Sequence, residues 1–297
     1  MNRIDTHRFA GVFPALLTPF DREGRVHAPV LAALTQRLLD AGVQGFYICG
    51  SSAEAMMMTL EERKTVLETV TAVAAGKAVC ICHVGCINAD HAVELARHAA
   101  RHGADLVSAV PPYYYKFTFA EIRRYYSAIA DAASLPLLLY SIPASSGVTL
   151  TKAQFDALLS DPRIVGVKYT ASDFYTLERL RHAHPDIVLY NGYDEMFLAG
   201  QSMGADGGIG TTYNFMPEKF LAMRRFVEQG DRTAALAVQA SVNNVIEEML
   251  RYGVLPATKA VLRAQGLDFG ECRPPFRPLE EAECASLLAV CRREGVL

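Results

Sequence analysis

Eight short apolar runs recur along the chain: FAGVFPALL (9–17), GFYICG (45–50), AVCICHVG (78–85), LVSAV (106–110), PLLLYSIP (136–143), IVGVKYT (164–170), IVLYNGY (187–193) and GGIGTT (207–212). Strands that are apolar on both faces must be covered on both faces, which is the condition of a parallel sheet. Between the runs lie helical patterns, three of them opened by capping boxes: Thr59 with Glu62, Thr118 with Glu121, and Thr151 with Gln154. The helix that starts at Thr59 brings Leu60, Val66, Leu67, Val70 and Val73 onto one side. Parallel neighbours need a crossover, and a helix after each strand supplies it. Eight such units predict an α/β fold, a (β/α)8 TIM barrel, over residues 1–229. A doubly wound open sheet is the alternative, but it would use fewer strands and a glycine-rich turn after the first, where this chain has ALLTPFDREG. From about residue 215 onward the pattern is helical only, at 217–229, 231–252, 256–265 and 279–293, with RPPFRP as a break at 273–278. This predicts a C-terminal helical extension, 230–297, packed on the barrel.

The 297 residues are 51% hydrophobic and 21% charged, with a formal net charge of −3, which argues for a large-cored globular chain and against a nucleic-acid partner. No run of 18 or more apolar residues occurs, and MNRIDTHRF has no apolar signal segment, so no membrane partner and a cytoplasmic address are expected. Seven cysteines, several in apolar runs (Cys49, Cys80, Cys82), fit a reducing compartment better than a disulfide framework. In CICHVGC (80–86), strand alternation sends Cys80 and Cys82 to one face and His83 to the other, so no metal site is expected there.

In a barrel of this type the active site is built at the C-terminal ends of the strands. Sequence position then becomes geometry. Ser51 and Ser52 follow strand two, Tyr113 to Tyr115 follow strand four, and Tyr140 and Lys168 sit late in strands five and six. Asp194 and Glu195 follow strand seven, and Thr211 follows strand eight. All of them would surround one mouth.

A lysine is almost never fully buried without a partner or a purpose. At an unperturbed pKa of ~10.4 only about one lysine in several thousand is the neutral amine at pH 7, and burial lowers that pKa and frees the nucleophile. Lys168 is therefore a candidate for a Schiff base with a carbonyl substrate; a lysine that snorkels to the rim or pairs with an acid is the other reading. Tyr140, in the neighbouring strand, is either a proton carrier for carbon–carbon cleavage or a core tyrosine. Ser51 and Ser52, in GSSAE, suit a carboxylate or are plain loop residues. Asp194 and Glu195 either bind substrate or start a helix. The glycine-rich 204–210 invites a phosphate reading, but 186–215 has no Lys or Arg and four acids, Asp186, Asp194, Glu195 and Asp206, a rim that suits a neutral polyol. Met56 to Met58 read as apolar packing near the mouth.

The ordered motifs HVGC (83–86), VSAVPPYYY (107–115), YSIPASSGV (140–148), GVKYTASD (166–173), YNGYDE (190–195) and GADGGIGTTYN (204–214) resemble the pyruvate-dependent class I aldolase family of dihydrodipicolinate synthase and N-acetylneuraminate lyase. They look most like the lyase branch. The resemblance implies that Lys168 forms the Schiff base, Tyr140 relays protons, and Ser51 and Ser52 hold the pyruvate carboxylate. Thr170, Gly192, Asp194, Glu195, Gly210 and Thr211 would bind the sugar portion. It also implies a homotetramer in which Tyr114 reaches a neighbouring subunit's site, with no metal or organic cofactor. The substrates would be sialic acid, pyruvate and N-acetylmannosamine. Where the synthase branch carries an arginine for a second carboxylate, this chain has Ser145. Four residues depart from the lyase pattern: Ala53 stands where glycine is usual, Ala171 and Ser172 where Ser-Gly is usual, and Thr211 where serine is usual; if the family's glycines take positive φ, a side chain at Ala53 or Ser172 costs about 1 kcal/mol or more. A different 2-keto-3-deoxy sugar acid aldolase, a synthase-like enzyme, and a non-catalytic barrel that senses sugar acids remain the alternatives.

Overall fold

The computed structural model of the protein describes residues 6–297. Its strands and helices alternate: β1 (Gly11–Pro14), α1 (Ala28–Asp40), β2 (Gly45–Ile48), α2 (Leu60–Ala74), β3 (Val79–His83), α3 (Ala89–Arg101), β4 (Leu106–Ala109) and α4 (Phe119–Ala133). The second half continues with β5 (Leu137–Ser141), the short α5 (Pro143–Ser146), α6 (Lys152–Leu159), β6 (Ile164–Tyr169), α7 (Phe174–Ala183), β7 (Val188–Asn191), α8 (Phe197–Ser202), β8 (Gly207–Gly210) and α9 (Pro217–Glu228). Three further helices follow, α10 (Arg232–Tyr252), α11 (Val254–Ala264) and α12 (Glu281–Arg293). Each of the eight expected strands is present, and the three expected capping boxes are closed in both directions.

The strands are parallel, in the order β1-β8-β7-β6-β5-β4-β3-β2. The ring closes between β1 and β2 by one parallel bridge, Ala15 to Tyr47, with the Leu16 N–H donating to the Tyr47 carbonyl at 3.0 Å and the Gln44 N–H to that of Val12 at 3.2 Å. The fold is a (β/α)8 barrel. Phe13, Tyr47, Ile81, Leu138, Tyr190 and Ile209 fill its interior. A second apolar layer lies between sheet and helices and runs on into Val245, Met249, Leu262 and Leu287 of the last three helices. The extension thus shares the barrel's core. No helix among the described residues is long and apolar enough to cross a membrane.

Two expectations need correction. The inner face of α2 is rotated slightly from the expected one: it buries Arg63, Val66, Leu67, Val70 and Ala74, while Leu60 and Val73 are half-buried. The acidic rim is also smaller than its sequence window. Asp186 and Asp206 precede β7 and β8, which puts them at the opposite end of the barrel from the mouth, where Asp206 pairs with Arg181. Only Asp194 and Glu195 of the four acids stand at the C-terminal ends.

Candidate active site

The β5–β6 register places Tyr140 directly beside Lys168. Inside the barrel the Lys168 ammonium nitrogen lies 4.1 Å from the centre of the Tyr140 ring and 4.3 Å from that of Tyr47. Tyr47 and Tyr140 meet edge to face at 5.8 Å, and the Tyr47 hydroxyl is 3.0 Å from Ser108 Oγ. Lys168 is 4% exposed and forms no ion pair among the described residues. Burial lowers its pKa, against the opposing pull of the Tyr140 hydroxyl and the Asp194 carboxylate. The outcome is an amine biased toward its nucleophilic form with a phenol beside it.

The serine turn follows β2. Gly50 leads it because a side chain there would collide with the Tyr47 ring, 2.6 Å from the nearest atom. Ser51–Ala53 form one turn of 3-10 helix, and Ser52 Oγ sits 2.6 Å from Thr211 Oγ1 across the mouth. The opening N–H groups of such a turn have no acceptor within it. Ala53, Ala171 and Ser172 are not among the residues with positive φ, so the strain expected at those departures is absent. The left-handed residue of the turn is Glu54, at φ 60°.

On the opposite wall, Asp194 is buried and its Oδ2 accepts both the N–H and the hydroxyl of Thr212, each at 2.7 Å. Burial raises its pKa to about 6, opposed by those two bonds and by Lys168. Gly210 gives the other carboxylate oxygen room: a Cβ there would stand 2.0 Å from Asp194 Oδ1. Gly192 does the same for Thr170, whose hydroxyl is buried without a hydrogen-bond partner among the described residues. Glu195 is half-buried, and the backbone carbonyls of Asp194 and Glu195 accept from Gln239 and Asn243 of α10 at 3.2 Å each. Tyr114 stands apart from this group, 84% exposed with φ 78° on the loop after β4. At the mouth the Tyr113 hydroxyl donates to Met56 Sδ at 2.8 Å.

Two residues of the site were missed in the sequence. Tyr47 occupies in β2 the inward position that Tyr140 occupies in β5, and strand alternation alone would have found it. Arg63 is buried on α2 and holds the loop after β3, donating to the carbonyls of Gly85 at 3.1 Å and His83 at 2.6 Å. Nothing in TLEERKTV marks it. Cys80 and Cys82 face the helices while His83 faces the interior. Its Nε2 accepts the Val110 N–H at 3.2 Å, so the proton sits on Nδ1, which donates to the Cys49 carbonyl at 3.0 Å. Burial and Arg63 hold this ring neutral. Glu68, His98 and His102 also converge, outside the barrel. There the two imidazoles stack with centroids 4.0 Å and planes 16° apart, so their in-plane lone pairs do not aim at a common centre.

The model of the dihydrodipicolinate synthetase family matches residues 8–293. The chain is 45% identical to the N-acetylneuraminate lyase of Rhizobium meliloti over 281 residues, 94% of this chain and 93% of that one. Among solved structures it is similar to a catalytic lysine mutant of the Ruminococcus gnavus sialic acid aldolase, with TM-score 0.95, 32% identity, and 98% and 97% of the two chains covered. It is also similar to the Fusobacterium nucleatum N-acetylneuraminate lyase complexed with pyruvate, with TM-score 0.92, 33% identity, and 97% of each chain covered. The chain belongs to the dihydrodipicolinate synthetase family.

Proposed function

We propose that this protein is a Schiff-base aldolase that reversibly cleaves N-acetylneuraminate to N-acetylmannosamine and pyruvate. The observation that carries this reading is Lys168, buried between two tyrosine rings with no ion-pair partner among the described residues. Its neutral amine adds to the C2 carbonyl of the open-chain sugar acid, and loss of water leaves an iminium. Tyr140 takes the C4 hydroxyl proton, the C3–C4 bond breaks, and its electron pair flows into the iminium to give an enamine and the aldehyde of N-acetylmannosamine. Protonation of the enamine at C3 and hydrolysis then release pyruvate and restore the amine. Ser51 and Ser52 hold the carboxylate, and Thr170, Gly192, Asp194, Glu195, Gly210 and Thr211 line the sugar's path. The named lyases among its relatives support this substrate. Tyr114 would complete a neighbouring site in a tetramer, and the enzyme would work in the cytoplasm.

The synthase-like alternative lacks a cation for a second carboxylate, since Ser145 occupies the exposed turn after β5. A sensor barrel would have no use for the lysine–tyrosine pair. Incubation with pyruvate and borohydride, followed by intact-mass measurement and peptide mapping, tests the reading. A single reduced adduct on Lys168 is expected. An unmodified Lys168, or label spread over surface lysines, overturns it.

A further inference from the structure

The serine turn is held by the far end of the chain. Glu54, which ends the Ser51–Ala53 turn and begins the next one at Ala55–Met57, adopts φ 60° and ψ 27°. That left-handed conformation costs a non-glycine residue about 1–2 kcal/mol, so the turn needs support from outside itself. The support is visible. The Glu54 side chain is fully buried, with Oε1 2.6 Å from the ammonium of Lys259 on α11. Its Oε2 accepts the backbone N–H of Arg273 at 2.7 Å. Lys259 also donates to the Glu271 carbonyl at 3.0 Å and lies 4.4 Å above the Phe20 ring. The Arg273 guanidinium in turn donates to the carbonyls of Met57 at 2.9 Å and Gly24 at 2.8 Å and pairs with Glu62. The 3-10 turn that carries Ser51 and Ser52 and the one that follows it are thus pinned by the extension, immediately beyond the serines.

A buried ion pair is often no more stabilising than an apolar pair of the same volume; what it adds is a strongly directional contact. We propose that Glu54, Lys259 and Arg273 are positioning residues for recognition of the substrate's carboxylate, the C-terminal extension setting through them where Ser51 and Ser52 stand. The proposal rests on the reading of those serines as carboxylate donors. Displacement of the turn by about an ångström is enough to weaken such recognition severely, while Lys168 and Tyr140, on β6 and β5, stay in place.

The test is steady-state kinetics of the condensation of pyruvate with N-acetylmannosamine, together with Tm, on Glu54→Gln, Lys259→Met and the double variant. Each single variant should raise the KM for pyruvate about tenfold, with kcat and the KM for N-acetylmannosamine within about threefold of wild type. The double variant, which leaves no unpaired charge, should recover Tm and keep the high pyruvate KM. If the single variants do not accumulate as folded protein, the double variant decides by the same criterion. A pyruvate KM at the wild-type value in the double variant, or in folded single variants that have lost Tm, overturns the proposal and makes the pair purely structural. Ser51→Ala and Ser52→Ala separate the two layers of argument. If neither raises the pyruvate KM, the serine reading fails and takes this proposal with it; if they do and the Glu54 and Lys259 variants do not, only this proposal fails.

Discussion

Lys168 and Lys259 are both buried, at 4% and 0% exposure, yet their surroundings differ in almost every respect. Lys259 has a carboxylate at 2.6 Å, a backbone carbonyl at 3.0 Å and an aromatic face at 4.4 Å. Lys168 has two aromatic faces and a phenol but no carboxylate in contact among the described residues, and burial pulls its pKa down. Burial imposes the same desolvation cost on both charges; what differs is how the cost is met. A counter-charge makes a structural tie. Without one the amine leans toward giving up its proton, the state that the proposed Schiff-base chemistry needs. The carboxylates repeat the contrast: Glu54 meets its cation, whereas Asp194 has Thr212 and a pKa pushed up to about 6.

Lys168→Arg puts the greatest strain on this contrast. If Lys168 were a tie like Lys259, a guanidinium would keep the charge and much of the function. We expect no detectable turnover with Tm near that of wild type, because guanidinium stays protonated and forms no imine. Measurable aldolase activity would dissolve the distinction. Tyr140→Phe keeps the ring over Lys168 and removes only the hydroxyl, so it separates aromatic packing from proton transfer. A fall in kcat of roughly 10²–10⁴ with a smaller change in substrate binding is expected; an unchanged kcat would make Tyr140 a wall of the lysine's cage and nothing more.

Asp194 gives the smallest and finest effect. Asp194→Ala should lower kcat/KM for N-acetylneuraminate by about ten- to a hundredfold and affect a short 2-keto-3-deoxy acid far less. Equal losses on both would assign the carboxylate to Thr212 and the start of the turn after β8. The same two substrates should part company with pH. The raised pKa means that the charged acceptor is present above pH 6 and protonated below it, so the preference for the long substrate should decline several-fold as pH falls through about 6. The stability linkage has the opposite sense, since a carboxyl whose folded pKa lies above its unfolded value contributes stability below about 4 and loses it as pH rises through 6. Asp194→Asn should flatten both profiles.

Most of the fold could be read from the sequence because two signals agreed: a strand apolar on both faces in every unit and a helical pattern after it, three times with a marked start. Lys168 and Tyr140 were legible for a related reason, being polar where a strand's inward position calls for an apolar residue. Lys259 was not. In VLPATKAVLRA it has the spacing of an ordinary helix-surface lysine, and its burial depends on Glu54 and Phe20, more than two hundred residues earlier in the chain. Arg63 was hidden among the charges of LEERK for the same reason. The acid-rich stretch misled because 186–215 passes from the bottom of the barrel to the mouth and back, so neighbours in sequence such as Asp194 and Asp206 belong to opposite ends.

The anchoring of Glu54 by Arg273, 219 residues downstream, also bears on how the enzyme is made. Ribosomal synthesis delivers the turn with Ser51 and Ser52 early and its anchors last. A chain halted after α9 would hold all eight strands and both Lys168 and Tyr140, but neither anchor of that turn nor the α10 side chains that donate to the Asp194 and Glu195 carbonyls. Contacts of such long sequence separation carry a loop-closure entropy that must be met before they stabilise anything. Until those helices have emerged, the chain therefore has Lys168 and Tyr140 but lacks the contacts that, under the proposal above, set where Ser51 and Ser52 stand.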